Sequence, residues 1–301
     1  MRILLVGYKN GYQATRFTEE SKKIGVEIVG INTTQLILEF TDNSFKYSLR
    51  GCDYRLEDFD LIYLGVSGDK RRWEWLLVCD YLSSKYGVKV VNKKFIDTNY
   101  NVYFTPASEY QKQVENNISF PNSTVIFNKN SLKFVKDKLE YPLIVKVGAP
   151  GYGRKGKGVF KIEDYGELKK LVDDTKEFAH KYILRQFIPN DGDIRVFTVG
   201  YKVIGAMKRT PKKGDFKSNI SQGAKGSEFD LTYRKDIIQM AETMSKITKT
   251  EIAGVDVILD KNTKKPYVLE VNSNPQFKGL EQYTKVNAAK KIIEYFVSLV
   301  D

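Results

Sequence analysis

Asp256, Glu270 and Asn272 lie within IAGVDVILDKNTKKPYVLEVNSNPQF, residues 252–277, and together could hold a divalent cation. Two runs rich in Val, Ile and Leu, Gly254 to Leu259 and Tyr267 to Val271, flank a polar loop, which is the pattern of a β-hairpin. Folding it symmetrically about Thr263 puts Asp256 opposite Glu270, with Cβ atoms about 5 Å apart. Asn272, two residues on, shares that face, while Val255, Val257, Leu269 and Val271 fill the other. Two bare carboxylates at that spacing repel by roughly 3 kcal/mol at an effective dielectric near 20, so a positive group belongs between them. Carboxylates with an amide carbonyl, and no His or Cys, make an oxygen-only set suited to Mg²⁺ or Mn²⁺ bridging substrate phosphates. The competing reading is a solvent-facing hairpin whose acids pair with nearby lysines. A one-residue register shift would part the carboxylates.

A second chemical segment is GAPGYGRKGKG, Gly148 to Gly158, whose five glycines and Arg154, Lys155 and Lys157 could aim N–H groups and cations at phosphate oxygens. It nearly matches a Walker A loop, but Gly158 stands where Ser or Thr must bind the metal. Its G-x-G-x-x-G, Gly151, Gly153 and Gly156, has strand patterns on both sides, whereas a dinucleotide fold needs strand then helix. A protein kinase requires H-R-D, yet the single histidine, His180, is followed by Lys181. What remains is a Gly-rich flap over a nucleotide triphosphate, with Lys146 at the end of the strand feeding it.

These segments need a scaffold, and 301 residues suffice for two or three domains. No apolar run approaches the roughly 20 residues of a membrane span, and the opening run Arg2 to Val6 is too short for a signal peptide, so a cytoplasmic protein is expected. Cys52 and Cys79 support neither a disulfide framework nor a zinc site. The net charge of +12 raises nucleic acid or an acidic protein tail as a partner. However, residues 1–95 hold 15 basic and 12 acidic residues, and no basic arm or aromatic stacking motif appears, which argues against nucleic acid.

Residues 1–95 alternate strand and helix patterns: strands at Ile3 to Val6, Val26 to Ile31, Phe59 to Leu64 and Val88 to Val91, helices at Gln13 to Ile24 and Arg71 to Tyr86. That order predicts a small parallel α/β domain, with Trp73, Leu76, Leu77 and Leu82 in its core and Gly7 to Gly11 as a turn. A helix, Pro106 to Asn117, leads to short strands near Thr124 to Phe127 and Leu143 to Val147. After the flap come strand Val159 to Ile162, helix Tyr165 to Val172 and strand Tyr182 to Ile188. A hairpin from Asp193 to Met207 turning at Gly200 and Tyr201, a polar loop Lys208 to Lys225, helix Thr232 to Ile247 and a closing helix Asn287 to Val300 complete the chain.

From Pro142 onward, the segments PLIVKVG, the Gly-rich loop, ILRQFI, GDIRVFTVG, GAMKRTPKKGDFKSN, IAGVDVILD and LEVNSNPQF resemble the ATP-grasp superfamily, in its RimK-like α-L-glutamate ligase branch. The resemblance implies an α/β (α+β) fold: an N-terminal parallel α/β domain (1–95), a central subdomain with the flap (96–184) and a C-terminal subdomain with the metal site (185–301), their antiparallel sheets sandwiching ATP. It makes Asp256, Glu270 and Asn272 ligands of Mg²⁺ or Mn²⁺, as two ions. By the same resemblance Lys146, Gly153 and Gly156 meet the phosphates, Gln186 and Phe187 form the hinge beside adenine, and Asp193 is an acid at the nucleotide. Lys217, Ser218 and Asn219 fall at the triphosphate, and Arg195 and Arg209 near the acceptor carboxylate and the transferred phosphoryl. Gln186 stands for the family's Glu, Lys217 and Gln222 for its arginines. Its second ATP lysine has no clear counterpart, Lys112 being a candidate.

The implied reaction is ATP-dependent carboxylate–amine ligation through an acylphosphate, joining an amine such as an amino acid to a peptide, a protein tail or a small metabolite. A regulatory ATP-binding protein without turnover is the alternative from another class. The identity of the acceptor, and self-association into a homo-oligomer, stay open at this stage.

Overall fold

The computed structural model of the protein describes residues 1–42, 44–65, 70–97, 105–148, 158–212 and 224–300. Its N-terminal part contains strands β1 (Arg2–Val6), β2 (Glu27–Ile31), β3 (Leu36–Thr41), β4 (Ser44–Leu49), β5 (Leu61–Leu64) and β6 (Lys89–Val91), with helices α1 (Tyr12–Lys22) and α2 (Arg72–Tyr86). Four strands form a parallel sheet in the order β2-β1-β5-β6. Ile3, Leu5 and Tyr63 pack on one side with Phe17 of α1, and Leu4, Val6, Ile62 and Leu64 on the other with Trp75 of α2. Covered on both faces, these strands read as continuous apolar runs. The paired strands β3 and β4 form an unanticipated hairpin. Helix α2 also turns differently from expectation: Leu76 and Leu82 are buried, but Trp73 and Leu77 are about half exposed, and Trp75, Val78 and Cys79 take the inner face. The helix is apolar around most of its circumference, so spacing alone does not choose the buried side.

Next come α3 (Pro106–Glu115), β7 (Ser123–Ile126), α4 (Leu132–Val135), β8 (Leu143–Gly148), β9 (Val159–Ile162), α5 (Tyr165–Thr175) and β10 (Lys181–Gln186). Thr105 caps α3 by accepting from the Ser108 N–H, and Pro106 occupies the first turn, where its missing donor is harmless. The sheet is antiparallel, in the order β7-β10-β8-β9. Leu143, Val145 and Val147 of β8 pack with Leu168 and Val172 of α5, which leaves Lys146 on the opposite face. In the β8–β10 register Lys146 lies across from Ile183, and Arg185 across from Ile144, so Arg185 shares the Lys146 face.

The last part holds β11 (Asp193–Val199), β12 (Lys202–Thr210), β13 (Lys225–Glu228), α6 (Lys235–Ile247), β14 (Ile252–Leu259), β15 (Pro266–Asn272), α7 (Lys278–Tyr283) and α8 (Ala288–Ser298). Gly200 and Tyr201 both have positive φ, 58° and 66°, which suits a two-residue turn joining β11 to β12. The strands form an antiparallel sheet, β13-β12-β11-β14-β15. Ile194, Val196, Val255, Val257 and Val268 pack on Ile237, Ala241 and Met244 of α6, so the alternate residues Asp193, Arg195 and Asp256 face away from α6. The polar loop expected from Lys208 is shortened by the end of β12 and by β13.

The N-terminal and C-terminal parts share one core. Phe17 meets Phe277 and Tyr63 meets Phe296, each with ring centroids 5.3 Å apart. At the same seam the fully buried Asn92 accepts from the Ile252 N–H at 2.6 Å and donates to the Ser273 carbonyl at 2.9 Å. Among the described residues no helix is long and apolar enough to cross a membrane.

Candidate functional site

The two carboxylates meet as the hairpin argument requires. Asp256 pairs with Glu270, Val255 with Val271 and Gly254 with Asn272. One step further the register shifts, so that Val257 pairs with Val268 and Leu269 is the extra residue of a β-bulge. This corrects one expectation: Val268, fully buried, takes the core position predicted for Leu269. The slip lies on the turn side of Glu270, and the bulge aims Glu270 onto the Asp256 face.

Asn272 completes the set. Its amide lies 3.3 Å from Asp256 Oδ2 and 3.5 Å from Glu270 Oε1, and also 3.3 Å from the Gly254 carbonyl. Amide orientation is an assignment, and a half-turn presents Asn272 Oδ1 to the same point. Two carboxylates and an amide oxygen then converge, a donor set that fits a hard divalent cation. Among the described residues no group of three or more His, Cys, Asp or Glu side chains is placed to hold a metal.

Cations from three strands answer the acids. Arg195, directly across from Asp256 on β11, grips it with two bonds of 2.7 Å. Gly254 permits this approach, since a Cβ there would come within 3.2 Å of the arginine side chain. Arg209 of β12 donates to Asp193 Oδ1 and reaches Asp256 Oδ2 at 3.0 Å. From the facing sheet, Lys146 Nζ lies 2.9 Å from Glu270 Oε2. The charge of Lys146, with help from Arg185 and Arg195, holds Glu270 well below the usual carboxylate range, against its burial. Burial, reinforced by Asp256, pushes Asp193 up to about 7, with Arg209 pulling the other way. Burial opposes the Arg209 charge, but Asp256 and Asp193 outweigh it and raise that pKa.

At the end of β10, Gln186 turns away from Lys146 and donates to Glu140 at 2.7 Å. The Gln186 and Phe187 N–H groups donate to the Asn122 and Pro142 carbonyls, and Lys161 lies 4.7 Å over the Phe187 ring. The turn predicted at Gly7 to Gly11 brings Tyr8 to the site: its hydroxyl donates to Asn274 Oδ1, two residues past Asn272, while Asn274 reaches the Gly65 carbonyl at 3.4 Å. Gly153 and Gly156 of the flap, and Lys217, Ser218, Asn219 and Gln222, lie outside the described residues.

Three residues not singled out from the sequence join this neighbourhood. Arg185 lies on the Lys146 face, Glu109 of α3 accepts from the Val271 N–H at 3.2 Å, and Lys94 is 3% exposed. Burial pushes Glu109 up to about 7, with Lys94 and Lys146 opposing, and lowers Lys94 to about 8, with Glu109 opposing. The available signal is parity, because Arg185 stands two residues past Ile183 in an apolar strand whose register with β8 sets its face.

The chain is similar to known proteins in sequence and in fold. A probable α-L-glutamate ligase of Legionella pneumophila (strain Corby) is 35% identical over 156 residues, 51% of this chain and 49% of the relative, so the match spans about half of the relative's length. Two solved structures superpose over nearly the whole chain, each with a TM-score of 0.69. One is ATP-grasp ligase PsnB complexed with minimal precursor, Mg and ADP, 14% identical and covering 99% of this chain and 97% of that one. The other is macrocyclase MdnC of Microcystis aeruginosa MRC bound with precursor peptide MdnA, 15% identical and covering 99% and 100%. At such identities they establish the fold alone. A family model, the RimK-like ATP-grasp domain, matches residues 109–296. With strand β8 and its lysine, the β11–β12 arginines and the β14–β15 acids all inside that match, the chain belongs to the RimK-like ATP-grasp family.

Proposed function

We propose that the protein is an ATP-dependent carboxylate–amine ligase that forms an amide through an acylphosphate, with a peptide or protein tail as acceptor and an amino acid as amine donor. The observation that carries this reading is the convergence of Asp256, Glu270 and Asn272 opposite Lys146 of the facing sheet. Asp256, Glu270 and Asn272 would hold Mg²⁺ or Mn²⁺, one ion or two. Bound there, the metal supplies charge neutralisation on the phosphates.

The protein's own share is positioning and charge. Lys146 exchanges Glu270 for a phosphate oxygen, and by the family resemblance Gly153, Gly156, Lys217, Ser218 and Asn219 would contribute to triphosphate binding. Arg209 meets the transferred phosphoryl group, whose charge it stabilises. Arg195 orients the acceptor carboxylate, and Asp193 fixes Arg209. No side-chain nucleophile is required, in keeping with a chain that has one histidine and two cysteines. Both solved neighbours are complexes with a precursor, one of them a named precursor peptide, which supports a peptide acceptor.

The test is ADP release with Mg²⁺ and ATP across amino acids paired with acidic peptides, with mass spectrometry of the products. Turnover that requires both partners, and a product heavier by one condensed residue, is the expected result. ADP release indifferent to any carboxylate would overturn the assignment.

A further inference from the structure

Strand β15 is the last strand of its sheet, yet its outer edge is held. The carbonyl of Leu269, the extra residue of the bulge, accepts from Arg185 Nη2 at 3.1 Å, and the same nitrogen donates to the Tyr110 hydroxyl at 2.7 Å. Two residues on, the Val271 N–H donates to Glu109. On the turn side, the Val268 N–H donates to the Ser119 carbonyl at 2.9 Å. The main chain on both sides of Glu270 is therefore gripped by β10, α3 and the segment that follows α3.

Arg185 is 5% exposed, and its Nε is buried without a hydrogen-bond partner among the described residues. Burying a charged side chain with an unmet donor is unfavourable, and the bonds that Arg185 makes to Leu269 and Tyr110 are what offset it. Bulges re-aim side chains only while the surrounding structure holds them.

We propose that Arg185 is a positioning residue for metal binding: by holding the Leu269 carbonyl against Tyr110 it keeps the bulge in the form that points Glu270 at Asp256 and Asn272. This rests on the ligand set proposed above. Charge and clamp make opposite predictions. A cation near Glu270 repels Mg²⁺, so removing it for charge alone would tighten metal binding, whereas removing a clamp loosens it.

The experiment is binding of a fluorescent ADP analogue to the full chain, titrated with Mg²⁺; it needs no acceptor. Arg185→Met is expected to raise the half-saturating Mg²⁺ concentration about 10-fold, a typical loss when a group supporting a metal ligand is removed. Binding in EDTA should change by about twofold or less, as no phosphate contact is lost. Arg185→Lys, which keeps charge but not the planar fork, should fall between. Should Arg185→Met fail to fold, Tyr110→Phe removes only the oxygen that steadies the guanidinium and should shift the requirement about threefold in the same direction, less than the roughly 10-fold loss expected when the guanidinium itself is removed. An unchanged or lowered Mg²⁺ requirement in either folded variant would overturn the proposal. Wild-type protein that binds the analogue regardless of Mg²⁺ would overturn both the clamp and the metal site. A wild type without ligase turnover but with the Mg²⁺ shift intact would leave the clamp standing and remove the ligase reading.

Discussion

At Glu270 one oxygen separates a carboxylate from an amide of the same shape. Glu270→Gln should lower turnover by at least about 10²-fold through lost charge at the metal and phosphate site, while thermal melting moves by only a few degrees. Retention of wild-type ADP production would dismiss Glu270 as a ligand. Hairpin symmetry about Thr263 gives the pairing of Asp256 with Glu270 although the pairs nearer the turn follow a register one residue different, because the bulge at Leu269 lies between the turn and the site and makes up the difference; Leu269 was misplaced because an inserted residue leaves no mark in an apolar run. Glu109 and Arg185 escaped for another reason: their roles depend on which elements stack in space, and strand parity says nothing of what lies opposite.

Among the elements, β11 and β12 carry three charged residues of the site, and the approach to β11 is unusually tight. Gly192 has φ +109°, and a Cβ there would come 2.2 Å from the Arg209 carbonyl. Gly192→Ala should therefore push β12 away at Arg209, costing about 1–3 kcal/mol of stability, and lower turnover more than nucleotide binding. Measuring kcat, ADP affinity and melting temperature together separates these effects, and wild-type kcat with a lowered melting temperature would limit Gly192 to a structural part. The element order itself followed from apolar runs and turn residues, with Gly200 and Tyr201 the clearest case. The hairpin of β3 and β4 was missed because its strands face solvent along much of their length and lack a sustained apolar run.

Across the whole molecule the seam between the N-terminal sheet and the C-terminal strands combines an aromatic core with buried polar groups. Asn92→Ala would leave the Ile252 N–H and the Ser273 carbonyl buried without partners, costing about 2–4 kcal/mol. The expected signs are a melting point lowered by several degrees and faster limited proteolysis, and unchanged melting would show that water replaces the amide. Glu251, fully buried at the same seam, accepts from the Lys93 N–H and the Tyr295 hydroxyl. Burial raises its pKa to about 6, against the bond from the Lys93 backbone. Because the folded state holds this proton more tightly, its contribution is fullest below the ordinary value of 4.5 and declines as pH rises to about 6, by about 2 kcal/mol. Glu251→Gln does not titrate, so its melting point relative to wild type should rise by a few degrees between pH 4 and pH 7. A difference independent of pH would refute the shift.

The gripped outer edge of β15 also bears on how the chain can be divided. A piece beginning at residue 185 would carry the β14–β15 hairpin but neither α3 nor Ser119, and would present a free row of N–H and C=O groups beside Glu270. Uncovered strand edges pair with one another. Such a piece should self-associate into β-rich aggregates, so helix α3 doubles as a guard against misassembly during synthesis, when β15, the last strand, emerges after its cover has been made.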